Sequence, residues 1–201
     1  EDLEHVLDRA QGDLPGALVK FTSAGALDPS NAAVQKRIAE TQREIKSSAD
    51  LEERKRKEGD RKREAARKDA QAEFDQARNG YTRARTDLYR QGTDLSLVDQ
   101  ALQEVIDHCG RAIRVFPEHH EAHHLRGQAY YLRQDYASAE KDFTTAVGFL
   151  KTFAAAYYDR GRVFLDLAAE AVGQSGLRGA AGDDEARGLR EKAKSDFNAY
   201  K

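Results

Sequence analysis

The stretch HEAHHLRGQAYYLRQDYASAEKDFTTAVGFLKTF, residues 120–153, decides the fold. Its apolar residues recur twice at helical spacing, on either side of the polar turn Arg133-Gln134-Asp135. In the first half Ala122, Leu125, Ala129, Tyr130 and Leu132 share a face, and Gly127 leaves a hollow in the middle of it. In the second half Tyr136, Ala139, Phe143, Ala146 and Val147 form a stripe suited to packing against the first. The pattern predicts two short antiparallel helices in which small residues face bulk and Phe143 fills the space.

The arrangement restarts 34 positions on, with Gly161 answering Gly127, Phe164 answering Tyr130 and Tyr158 answering His124. A helix-turn-helix period of that length, carrying Gly127, Tyr130, Ala139, Phe143 and Ala146, resembles the tetratricopeptide repeat. Lys151 stands where that repeat expects a closing proline. The resemblance implies an all-α solenoid of helical hairpins whose first helices line a concave groove.

Earlier segments extend the pattern. Leu3, Val6, Leu7 and Ala10 are helically spaced before a Gly12-Asp13 turn. Ala17, Phe21, Ala24 and Pro29 then repeat the second-helix signature and close on Leu27-Asp28-Pro29-Ser30-Asn31. Residues 1–48 are therefore expected to form a partial N-terminal unit, with Ser30 or Asn31 capping a helix that carries Val34, Ile38 and Ile45. From Leu51 to Lys68 the apolar stripe is replaced by alternating acids and bases, which predicts a solvated, charged connecting helix over residues 49–72. Unbroken from Asn31 to about Tyr89, such a helix would be on the order of 90 Å long. Gly59 is its weakest point.

The apolar face returns at Phe74, Ala77, Tyr81, Ala84 and Leu88, and opens a repeat array over residues 73–201. After the Gly92-Thr93-Asp94 turn, a return helix from Leu95 to Val115 ends before Pro117. Counting back from that proline, Val105 and Cys109 fall where the repeat has alanine and phenylalanine. The last hairpin is interrupted by a Gly-rich insertion at 173–182, read as a flexible loop, after which Asp183 is expected to cap the closing helix bearing Ala193 and Phe197.

Composition agrees with helices. Of the 201 residues, 34% are charged and only three are proline, and no stretch alternates with the period of two that a half-buried strand requires. The formal net charge of −2 selects no charged partner. The one cysteine, Cys109, rules out an internal disulfide, so a reducing, cytoplasmic setting is expected. No apolar run approaches the roughly 20 residues of a membrane span. The chain contains no methionine and opens on a glutamate, which reads as a region of a longer protein.

Three motifs could carry chemistry. His120-Glu121-Ala122-His123-His124 has the spacing of a zinc-hydrolase helix, and Gly127 continues it, but Tyr130 stands where a third histidine ligand is needed. These histidines are read as solvated or partly packed, with no metal or cofactor expected. The basic run Arg54 to Lys68 is interleaved with acids and lacks aromatic residues for base stacking, so no nucleic acid is expected. Cys109 lies on a packing stripe and is read as structural. No catalytic residue is assigned.

The resemblance to the repeat family implies ligand contacts from Glu121, His124, Gln128, Tyr131 and Leu132, and from Ala155, Tyr158, Arg162, Leu165 and Asp166. Tyr131, Tyr158 and Arg162 are the expected anchors, because aromatic and arginine side chains dominate interface energetics. Some relatives clamp chaperone tails with lysine and asparagine. Here His124 and Gln128 stand where that lysine and asparagine are expected, and Ala155 and Asp159 replace a later cationic pair of the clamp, which disfavours such tails. The expected function is non-enzymatic, a scaffold or regulatory module binding a protein, peptide or partner helix. A helical spacer that forms a homodimer through the charged helix is the alternative, and a zinc hydrolase using His120, Glu121 and His124 is the more distant one.

Overall fold

The computed structural model describes residues 13–173 and 180–200. Among them the chain is helical, with no strand. In order the helices are α1 (Leu14–Leu27), α2 (Ala32–Leu88), α3 (Leu95–Val115), α4 (His120–Leu132), α5 (Tyr136–Phe149), α6 (Ala154–Gly173) and α7 (Ala180–Tyr200). None is long and apolar enough to cross a membrane. The chain divides into two compact units, Glu1–Arg63 and Glu64–Lys201.

In the first unit Asp13 caps α1 by accepting from the Gly16 backbone N–H at 3.0 Å, and Pro15 sits in the first turn, where no intrahelical donor is lost. Ala17, Phe21 and Gly25 are buried, and Gly25 lets α2 come close: a Cβ there would meet Ile38 Cδ1 at 3.0 Å. Asn31 accepts from the Val34 N–H at 3.3 Å and starts α2. From Lys46 to Ala65 every residue is exposed. What supports that stretch is local, in pairs such as Glu53 with Lys57 at 2.6 Å and Glu58 with Lys62 at 2.6 Å, each worth a few tenths of a kcal/mol, roughly. Helix α2 continues through Gly59 for 57 residues in all, and the charged stretch expected at 49–72 is part of it, with the division between compact units falling inside that range.

The second unit is a run of hairpins. The end of α2 packs on α3 through Ala70, Phe74, Ala77 and Ala84 against Val98, Leu102, Val105, Ile106 and Cys109, and α4 closes this core with Ala122, Leu125 and Ala129. Helices α4 and α5 form the second hairpin, α6 and α7 the third. Each hairpin is seated on a glycine. A Cβ at Gly80 would meet Val105 at 3.2 Å, one at Gly127 the Phe143 ring at 2.7 Å, and one at Gly161 the Phe197 ring at 2.8 Å.

The two later hairpins share a second lock beside the glycine. Arg126 donates to both carboxylate oxygens of Asp142 at 2.7 Å, and Arg160 to both of Asp196 at 2.7 and 2.6 Å. Such bidentate pairs fix orientation as well as charge. In the first hairpin Asn79 and Glu104 hold the corresponding places, next to Gly80 and Val105. There Val105 takes the position that the count back from Pro117 gives to Cys109. The hairpin is closed by a smaller side chain one turn earlier, because its two helices are longer than those of the repeats that follow.

The last hairpin differs from expectation at its loop. Gly173 ends α6 and residues 180–182 already belong to α7, so Asp183 lies in the first helical turn rather than at the cap. Ala180 and Ala181 favour helix, and a carboxylate in the first turn is attracted to the positive end of the helix dipole. Residues 174–179 of the expected insertion lie outside the described residues.

Candidate functional site

The first helix of each hairpin in the second unit contributes a wall to one cleft of about 260 Å³. Gln128, Tyr131 and Leu132 come from α4, and Asp159 and Arg162 from α6. The third wall is Tyr81 and Arg85 on α2, with Tyr89 just beyond its end. These last three are four residues apart, which puts them on one helical face.

Asp159 is the hub. His124 Nε2 lies 2.9 Å and Gln128 Nε2 2.8 Å from its Oδ2, and Arg162 is 3.7 Å from its Oδ1. Burial alone would push this carboxyl upward, but the hydrogen bonds from His124 and Gln128 and the charges of His124 and Arg162 outweigh burial and hold it below the usual carboxylate range. Tyr131 donates to Asp166 Oδ2 at 2.6 Å and receives an Arg162 N–H at 3.2 Å, while the Arg162 guanidinium stacks over the Tyr131 ring at 4.8 Å. Burial and then the Asp166 contact push the Tyr131 phenol up to about 12, so it remains a donor across physiological pH. Tyr81 is raised too, chiefly by burial.

The expected groove residues therefore separate into two groups. His124, Gln128, Tyr131, Arg162 and Asp166 meet in one network across α4 and α6. Glu121 is exposed and turned to His119 at 3.5 Å, and Leu165 is exposed without joining the network. Tyr158 packs its ring on Phe197 and Tyr200 of α7, at 5.8 and 5.3 Å, away from the cleft lining. Sequence reasoning missed Arg85 and Tyr89 and counted Tyr81 only as packing. The four-residue spacing of 81, 85 and 89 was the available signal, hidden because only Tyr81 lies on the hydrophobic stripe.

The histidines are spent on packing. His119 accepts the Ala122 N–H as helix cap and sits against Phe74 at 4.9 Å. His120 meets the edge of Phe153, and His123 spans Asp142 and the Pro117 carbonyl. No group of three or more histidine, cysteine, aspartate or glutamate side chains among the described residues could hold a metal ion.

No protein-family model matches the sequence, and no curated protein is similar to it. The structure is similar to the second TPR of Spaghetti (RPAP3) bound to the HSP90 peptide SRMEEVD, at 21% identity over 66% of this chain and 95% of that one, TM-score 0.39. It is also similar to MamA, at 18% identity over 96% of this chain and 83% of that one, TM-score 0.39. A third similarity is to the TPR2AB domain of yeast Sti1 in its pHSP90 complex, at 12% identity over 91% and 64%, TM-score 0.36. With Gly127 under Phe143, Gly161 under Phe197 and an arginine–aspartate pair beside each, the hairpins of the second unit have a tetratricopeptide-like fold.

Proposed function

We propose that the chain is a non-enzymatic interaction module that takes an extended segment of a partner protein along the face built by α2, α4 and α6. One observation carries this reading. The cleft is walled by tyrosine rings and guanidinium groups from three helices, and among them Arg85, Tyr89 and Arg162 take no part in the hydrophobic core. Its volume of about 260 Å³ falls below the few hundred to 1,000 Å³, roughly, of small-molecule sites. It fits one side chain of a longer ligand. Rigid aromatic rings and arginine lose little conformational entropy on binding and supply both apolar contact and directed hydrogen bonds.

The partner protein supplies the rest of the contact along the helices, and the module serves as scaffold or regulatory region of a larger assembly. The test is binding of terminally blocked 12-residue peptides on an array by the intact chain and by a Tyr131→Ala, Arg162→Ala double variant. Peptides retained by the native chain and released by a folded double variant support the reading. Equal retention by both proteins removes the cleft from the binding surface.

A further inference from the structure

The hydrogen-bonding inventory of the cleft is lopsided. Its carboxylates are engaged from within, Asp159 by His124 and Gln128, and the adjoining Asp166 by Tyr131. Its donors are not. Arg85 makes no hydrogen bond or ion pair among the described residues, and the Tyr81 and Tyr89 hydroxyls have no hydrogen-bond partner there. Arg162 gives one N–H to Tyr131 and stands 3.7 Å from Asp159, beyond hydrogen-bond range.

The placement of Arg85 has a structural cause. Arg85 stands five residues past Gly80, where Leu132 stands past Gly127 at the end of α4, and α2 runs about one turn farther, to Leu88, which leads to Tyr89 at the mouth of the cleft. Tyr89 is 77% exposed, large and aromatic, next to an unpaired cation. A site with a free guanidinium and satisfied carboxylates is completed by a ligand that accepts. A guanidinium matches a carboxylate through two parallel hydrogen bonds, which lysine cannot reproduce.

We propose that the cleft holds the side-chain carboxylate of an aspartate or glutamate in an extended partner segment, gripped by Arg85 and flanked by the rings of Tyr89 and Tyr131. This rests on the reading of the groove as a peptide site and names the chemistry it selects. Arg85 fixes specificity, while the Asp159 network keeps Gln128 and Arg162 in place.

The probe is a set of fluorescent, N-acetylated and C-amidated hexapeptides with degenerate flanks and a central Glu, Asp, Gln, Asn or phosphoserine. A second set has a neutral centre and a free C-terminal carboxylate. Anisotropy of the intact chain is expected to report about tenfold tighter binding for the Glu or Asp sets than for Gln or Asn, with the advantage shrinking as salt rises. Arg85→Gln, whose exposed site leaves the fold intact by circular dichroism, abolishes the preference, and Arg85→Lys keeps part of it. The inference fails if the native chain binds peptides without preferring acids, if the preference survives Arg85→Gln, or if only phosphoserine or the free C-terminus is preferred. In those cases peptide binding itself stands. Absence of binding by every peptide overturns the peptide reading as well.

Discussion

The Phe143 ring occupies the space where Gly127 would carry a side chain, so closely that a Cβ would meet three ring atoms at 2.7 to 3.2 Å. Phe143 is fully buried and cannot swing away. In an exposed helix, glycine to alanine stabilises by up to about 1 kcal/mol. Here overpacking reverses the sign, and Gly127→Ala is expected to cost about 1–3 kcal/mol. Gly59, with nothing within 4 Å, is the control. Gly59→Ala should raise helicity and stability while Gly127→Ala lowers the thermal midpoint, and two substitutions that move in the same direction would contradict the packing described.

Asp142 is 3% exposed and is neutralised by Arg126 through two hydrogen bonds, with the His123 ring 3.4 Å away. Removing the cation strands a buried carboxylate, so Arg126→Ala is expected to destabilise by about 3–5 kcal/mol. Replacing both partners with apolar residues of similar volume leaves nothing unpaired. Arg126→Met with Asp142→Leu should recover most of the loss in urea denaturation. Arg160 and Asp196 make the same pair in the last hairpin, and Arg160→Ala should behave alike there.

These two locks also mark what could be read without coordinates. Gly127 and Gly161 declare themselves through a 34-residue period, and Phe143 and Phe197 through the recurring Ala-x-x-x-Phe spacing of Ala139 and Ala193, because a repeat fold must reuse one small-to-large contact. The arginine–aspartate pairs follow the same register, one residue before each glycine and each phenylalanine, but polar periodicity is weak against a surface with 34% charged residues. The unbroken passage through Gly59 was legible as a conditional, since one glycine among strong helix formers bends the balance without deciding it. Half of the cleft was legible from α4 and α6. The α2 wall was not, because Arg85 and Tyr89 are exposed side chains off the apolar stripe, and Tyr89 takes its place from where the helix stops, which tertiary packing and turn geometry set. Tyr158 matched the pattern yet went to α7, a contact that depends on a closing helix displaced far along the sequence.

Stability should decline in two stages on acidification. Burial, partly offset by Glu121, lowers the His119 pKa, so the folded state resists a proton that the unfolded chain accepts. Its contribution is complete above the unfolded value near 6.5, roughly, and is lost as pH falls through that region. Asp142 and Asp159 are also lowered, burial being outweighed by their hydrogen bonds, so their contribution is present above about 4 and is lost below it. Thermal midpoints between pH 3 and 8 should fall first as pH drops below about 6.5 and again below about 4. His119→Asn keeps a helix cap without a titrating ring, and should flatten the first decline while leaving the second. An unchanged first decline in that variant would assign it to another group.

Cys109 offers a reporter of opening. It is fully buried at the α2–α3–α4 contact, and burial pushes its thiol up to about 12, far from the thiolate that reacts with disulfide reagents. At pH 8 the native chain is expected to react at least a hundredfold more slowly than the same chain in denaturing urea. Because the thiol is reached only when α3 separates from its neighbours, the labelling rate should track the stability of this core. Gly127→Ala and Arg126→Ala, which weaken the adjoining hairpin, should accelerate it, whereas Arg85→Gln should leave it unchanged. Fast labelling of the native chain, equal to that of a free thiol, would place Cys109 outside the core.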